Sequence, residues 1–146
     1  MKQVLFKSGK AFVENTPAPS VEPGTVLVHV EYSCISAGTE ISGVRSSGEP
    51  IWKRALKHPD EVKQVLSMVS DQGIRRIHRM VKGKLTSGTA LGYSAAGKVI
   101  AVGEGISDLV EGDKVACAGA QCAHHAEIIR VPRNLVARMP KDLSME

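Results

Sequence analysis

The reading of Gly92-Tyr-Ser-Ala-Ala-Gly-Lys-Val-Ile-Ala-Val-Gly-Glu-Gly105 decides the fold. Residues 92–98 nearly spell the phosphate loop G-x-x-x-x-G-K-[ST], and Gly103-Glu-Gly105 starts like a dinucleotide fingerprint. Either would make the chain an α/β nucleotide binder. Both fail on chemistry. The phosphate loop needs a final hydroxyl to hold Mg²⁺, and that position is Val99. It must also lead into a helix whose N-terminus faces the phosphates, whereas Val99-Ile-Ala-Val is strand-like. The fingerprint needs a third glycine where Asp108 stands, followed by an amphipathic helix that is absent. No βαβ unit occurs anywhere, so this chain contains no Rossmann domain. The stretch is a strand.

Working outward, the same chemistry repeats. Val26, Val28 and Val30 alternate with Leu27, His29 and Glu31, the two-residue period of a strand, and residues 1–34 as a whole read as β. The stretch Pro17-Ala-Pro-Ser-Val-Glu-Pro-Gly before it is rigid turn chemistry. Residues 97–103, 113–117, 125–131 and 135–139 are further short strands, with a loop over 104–112 that has glycines at both ends. Short strands separated by turns predict a small barrel. The middle differs. Val62, Val65, Leu66 and Val69 form one helical stripe, with Pro59, Asp60 and Glu61 suited to its start and Gly73 to its end. Ile74, Ile77 and Val81 make a shorter stripe ended by Gly83, with Arg75, Arg76, Arg79 and Lys82 lying mostly away from it. The expected fold is therefore mainly β (α+β): a partly open β-barrel, one domain over 1–146, with a helical hairpin inserted at about 45–88. A turn of helix near 52–56 is compatible with this. No internal repeat is visible.

Composition bounds the function. A chain of 146 residues, 42% of them hydrophobic, can bury about 70% of its unfolded surface as one domain. No run approaches the roughly 20 apolar residues of a membrane span, and the start loses its apolar character after Val4-Leu-Phe, so no secretory signal is expected. Three cysteines are too few and too odd in number for a disulfide framework, which points to a reducing cytoplasm. Charge is uneven. Residues 53–84 carry nine basic and three acidic side chains, a net +6, which leaves −2 for the rest. A basic helix with an apolar stripe reads as a solvated face or as a docking face for another domain or subunit. No aromatic residues are interleaved to stack bases, so nucleic acid is not an expected partner.

Cys117, Cys122, His124 and His125 carry zinc-ligand chemistry. On a strand, however, the two histidines point to opposite faces, and core packing is the simpler use of these residues.

Five motifs in order resemble the GroES-like N-terminal catalytic domain of the medium-chain dehydrogenase/reductase superfamily. They are Pro19-x-x-x-Pro23-Gly24-x-Val26-Leu27-Val28-x-Val30, Ile35-Ser36-Ala37-Gly38-Thr39-Glu40, Gly92-Tyr93-Ser94-Ala95-Ala96-Gly97-x-Val99, Val102-Gly103-x-Gly105-Ile106 and Glu111-Gly112-Asp113-x-Val115. The ending, from His125-Ala-Glu127 to Met139-Pro140, is similar to the region where that domain meets its nucleotide-binding partner. Within the superfamily the pattern is similar to bi-domain oxidoreductases associated with polysaccharide synthesis; bacteriochlorophyllide a dehydrogenase is a weaker match. The resemblance implies an NAD(P)-dependent dehydrogenase or reductase acting on a small-molecule carbonyl or alcohol, such as a sugar or nucleotide-linked sugar. NAD or NADP would bind a C-terminal Rossmann domain beginning just after Glu146, absent from this chain.

The departures from the family pattern carry chemical meaning. Zinc-dependent members have Cys-Gly-Thr/Ser-Asp where this chain has Ala37-Gly38-Thr39-Glu40, so a thiolate ligand is replaced by a methyl group. They have Gly-His-Glu where this chain has Gly92-Tyr93-Ser94, and the cysteine-rich structural lobe is missing. No zinc is therefore expected. The resemblance places Thr39 at the hydroxyl that begins the family's proton relay and Tyr93 at a former ligand position, flanked by Ser36 and Glu40. These four are the candidate catalytic residues. The alternative use of Thr39 and Glu40 is to cap a helix starting near Ile41, and that of Tyr93 is to fill the barrel. Arg75, Arg76 and Arg79 are candidate contacts to an anionic substrate. The rival reading of the whole chain is a non-catalytic GroES-like binding or assembly module, and either reading is compatible with a homo-oligomer.

Overall fold

Alternating valines build the central strand. A computed structural model describes residues 1–38, 40–41, 88–140 and 142–145. In it Val26 and Val28 are fully buried, whereas His29 and Glu31 on the same strand are exposed. The described residues form eight strands, β1 (Lys2–Lys7), β2 (Lys10–Asn15), β3 (Thr25–Ser33), β4 (Thr89–Ala90), β5 (Ser94–Val102), β6 (Lys114–Ala118), β7 (Ile128–Pro132) and β8 (Val136–Arg138). Five of them form one antiparallel sheet in the order β7-β3-β5-β6-β8, and three form a smaller one, β2-β1-β4. This is the curled half-barrel that the short-strand pattern predicts.

The inner face of the large sheet is almost purely aliphatic. Val26, Val28, Val99, Val115 and Val131 are its fully buried side chains, joined by Leu109, Cys117, Ala123, Ile129 and Val136. Each buried valine removes apolar surface from water at a gain of about 1.5–3 kcal/mol. β-Branched side chains also suit the pleated surface on which they sit.

The glycines that imitate nucleotide-binding motifs have another use. A Cβ at Gly97 would lie 2.0 Å from the His29 carbonyl oxygen, and one at Gly103 would lie 2.0 Å from that of Glu22. Both positions are close backbone approaches between neighbouring segments, which only glycine permits. The β3–β5 ladder shifts register between Leu27 and Val28 and again between Val30 and Tyr32. Such irregularities bend and twist a strand, as closing a sheet requires.

One expected strand starts later than its sequence suggests. β7 begins at Ile128 rather than at 125, because the residues before it pair with the small sheet instead. Gln3 bridges Ala126, the Val4 N–H donates to the His125 carbonyl (2.8 Å), and the Glu127 N–H donates to the Lys2 carbonyl (3.0 Å). The expected helical hairpin at about 45–88, apart from Gly88 at its edge, lies outside the described residues, and so do Arg75, Arg76 and Arg79.

The contact at Gly97 yields a test of the fold. Gly97→Ala must push β5 off β3, and the expected cost is about 1–3 kcal/mol, as for other overpacked sites. Urea unfolding of the variant checks this, and a midpoint unchanged from wild type would contradict the close approach.

Candidate functional site

β3 ends at Ser33, and the chain then turns into a helical segment comprising residues 37, 38, 40 and 41. Ser36 stands at its start. The Glu40 N–H donates to the Ser36 carbonyl (2.9 Å), and the Ser36 N–H donates to Glu40 Oε1 (3.3 Å). The first is an ordinary helical bond, and in the second the Glu40 carboxylate reaches back to the helix start, as the acidic member of a capping box does. The helix starts at Ala37, four residues before Ile41.

Glu40 reaches further. Its two carboxylate oxygens lie 3.2 and 3.1 Å from His125 Nε2, and His125 Nδ1 lies 2.8 Å from Ser33 Oγ. The imidazole and carboxylate side chains are only 9% and 11% exposed. A hydrogen-bonded chain thus runs from the helical turn, through the segment before β7, to the end of β3. Several backbone contacts hold it there. The His125 N–H donates to the Leu91 carbonyl (2.8 Å), and Gly92 packs so closely that a Cβ would fall 2.6 Å from the His125 nitrogen. Gly92 also has φ +107, a conformation that disfavours any other residue.

At the outer end of this chain, Ser33 lines a cavity of about 260 Å³ together with Cys34, Ser94, Ala116 and Met145. The Cys34 N–H donates to the Ser94 carbonyl (3.1 Å), which ties the end of β3 to the start of β5. Tyr93 is half-buried between Gly92 and β5, and its carbonyl accepts the Gly119 N–H (2.8 Å).

The structure therefore brings Ser36 and Glu40 into direct contact, with Tyr93 next to the glycine that packs on His125. Thr39 lies outside the described residues. His125, which the sequence marks only for zinc-ligand chemistry or packing, instead meets Glu40 and Ser33. Its partners are distant in sequence, and the only local signal is that its face of the strand is opposite to that of His124. The two histidines do part company: His124 lines a separate cavity of about 270 Å³ with Gln3, Gln121, Cys122 and Arg130. Burial pushes the His124 imidazole below its ordinary pKa.

Cys117 and Cys122 serve as packing groups. Cys117 is buried on β6, and burial pushes its thiol up to about 12. The Cys122 thiol donates to the carbonyls of Ala118 (3.4 Å) and Gly119 (3.6 Å). Among the described residues, no group of three or more His, Cys, Asp or Glu side chains is arranged to hold a metal ion. Nor is any helix among them long and apolar enough to cross a membrane.

Comparison with known proteins agrees with this architecture. The family model for the alcohol dehydrogenase GroES-like domain matches residues 61–141, more than half of the chain. No curated protein gives a significant match. Among solved structures, the quinone oxidoreductase from Coxiella burnetii is 20% identical with a TM-score of 0.64, and 99% of this chain covers 38% of that one. Galactitol-1-phosphate dehydrogenase from Escherichia coli is also 20% identical with a TM-score of 0.64, and the match covers 99% of this chain and 40% of that one. A mycobacterial protein complexed with NADPH is 16% identical with a TM-score of 0.62, over 99% of this chain and 35% of that one. At these identities the likeness is one of fold. This chain spans well under half the length of each neighbour.

Burial of Cys117 has a consequence for alkaline stability. An unfolded thiol ionises near its ordinary 9.0, whereas the native one does so near 12. Between those values the unfolded state holds fewer protons than the native state, so stability is intact below about pH 9 and falls as the pH rises. Urea unfolding at pH 8 and pH 10.5 should show the fall, and Cys117→Ala should reduce it. An equal fall in the variant would contradict the assignment.

Proposed function

Starting from the finding that this chain belongs to the alcohol dehydrogenase GroES-like domain family, we propose that it is the substrate-side domain of a zinc-independent, NAD(P)-dependent oxidoreductase. It would move a hydride between nicotinamide and a carbonyl or alcohol. One observation carries the reading: 99% of this chain overlays 38% and 40% of two oxidoreductases, which leaves their remaining length for other parts such as a nucleotide-binding domain. The partner of this chain is then a C-terminal Rossmann domain.

The zinc-free part of the proposal rests on residue chemistry. Zinc catalysis needs thiolate and imidazole ligands that polarise the carbonyl. Ala37 and Tyr93-Ser94 stand where the family supplies them, and neither a methyl group nor this phenol–hydroxyl pair is a usual zinc donor set. No step is therefore routed through a metal.

A nicotinamide bound by the second domain supplies or accepts the hydride. The residues of this chain must then manage the substrate oxygen, whose developing negative charge needs hydrogen bonds or a proton. We assign hydrogen bonding to that oxygen to the hydroxyls of Thr39, Tyr93 and Ser36, with Glu40 as the neighbouring carboxylate. Arg75, Arg76 and Arg79, in the segment of net charge +6, are proposed to bind an anionic substrate such as a phosphorylated or nucleotide-linked sugar.

Two experiments test this reading. The full-length protein should enhance and blue-shift NADPH fluorescence on titration, whereas a binding or assembly module would leave the emission unchanged. Replacing Arg75, Arg76 and Arg79 together by Ala should raise KM for an anionic substrate roughly tenfold or more, the equivalent of one charged hydrogen bond. An unchanged KM would remove the substrate role of these arginines while leaving the hydride reading intact.

A further inference from the structure

We propose that Glu40, His125 and Ser33 form a proton relay serving a substrate oxygen held in the cavity beside Ser33. The inference rests on the hydride-transfer reading, but it assigns a role to two residues, Ser33 and His125, that the family pattern does not single out.

Placing a carboxylate and an imidazole together at about nine-tenths burial is expensive unless each finds its partners. Here each does. The Nε2 side of the ring faces both Glu40 oxygens at 3.1 and 3.2 Å, and the Nδ1 side faces the Ser33 hydroxyl at 2.8 Å. Glu40 is itself fixed by the Ser36 N–H. Among the described residues, His124 lines a separate cavity, the Glu127 carboxylate accepts the Lys2 N–H at 2.8 Å, and Cys34 shares the cavity of Ser33.

This arrangement has two complete hydrogen-bonded states. With the imidazole protonated, Nε2–H donates to Glu40 and Nδ1–H donates to Ser33. With it neutral, Glu40 keeps the remaining proton on Nε2, and Nδ1 accepts from the Ser33 hydroxyl. The states differ by one proton on Nδ1 and a rotation of one O–H bond. Ser33 is exposed and lines the cavity, so that proton has a route to a bound molecule.

In the reductive direction the relay delivers one proton. When the carbonyl carbon has accepted a hydride with its electron pair from the reduced nicotinamide, the π electrons of the C=O bond reside on oxygen as an alkoxide. That oxygen takes the Ser33 hydroxyl proton. Ser33 recovers a proton from Nδ1, and the imidazolium becomes neutral with Nε2–H still on Glu40. Water in the cavity restores the proton, and the oxidative direction reverses each transfer.

The test uses the full-length protein, NADPH, and para-nitrobenzaldehyde and phenanthrenequinone as probe substrates. His125→Asn should retain NADPH affinity, lower kcat by about 10²- to 10⁴-fold and abolish the pH dependence that the imidazole gives to kcat. Ser33→Ala, a change at an exposed side chain that folding should tolerate, should lower kcat about tenfold, because a cavity water can partly replace the hydroxyl. If either variant keeps the wild-type kcat and pH profile, the relay is wrong and the hydride reading stands. If wild type binds no NADPH, or reduces neither probe, the hydride reading falls and the relay falls with it.

Discussion

At Gly97 the backbone of β5 approaches the His29 carbonyl so closely that even a methyl group would collide with it, 2.0 Å away. Much of the described structure depends on that contact. It lets β3 and β5 run together as the spine of the large sheet, with β7 on one side and β6 on the other. The antiparallel pairing brings Ser33, at the end of β3, opposite Ala95, at the start of β5. The Cys34 N–H then closes on the Ser94 carbonyl. The turn that follows carries Ser36 and Glu40 to His125. A valine core gives the sheet its stability, while the glycine contact sets where the site is built.

The site is a polar chain set against an apolar interior. No polar or charged residue is fully buried among the described residues, and the largest fully buried side chains there are valines. Against that background, a carboxylate, an imidazole and a hydroxyl in hydrogen-bonding sequence are conspicuous in energetic terms. Polar groups removed from water are retained when every member is satisfied. Here Glu40 has the Ser36 N–H and the imidazole, and His125 has a partner on each ring nitrogen. Backbone hydrogen bonds from Val4 and to Leu91 lock the histidine main chain, so the ring has little freedom to turn away.

Much of the fold is legible in the sequence because it rests on local rules. Alternation at Val26 and Val28 reports a half-buried strand directly, and a valine where a phosphate loop needs a hydroxyl rejects the nucleotide-binding reading of residues 92–99. The start of β7 is not legible, since residues 125–127 have strand chemistry but spend it on pairing with β1. The helical turn at Ser36 shows the same limit: its cap depends on Glu40 folding back by four residues, which competes with a later start near Ile41. The site was half legible. Ser36 and Glu40 stand inside a recognisable motif, whereas His125 lies 85 residues from Glu40 and 92 from Ser33. No spacing rule connects residues that far apart. Only the closing of the sheet does.

The proposed hydride-transfer role requires a second domain that binds the nicotinamide. The most direct test is the intact mass of the native polypeptide in the cells that make it. The account predicts a mass well above the 15.6 kDa of these 146 residues, large enough to include a nucleotide-binding domain. A native mass of 15.6 kDa would contradict it, because no residue of this chain is assigned to bind the nicotinamide on which hydride transfer depends.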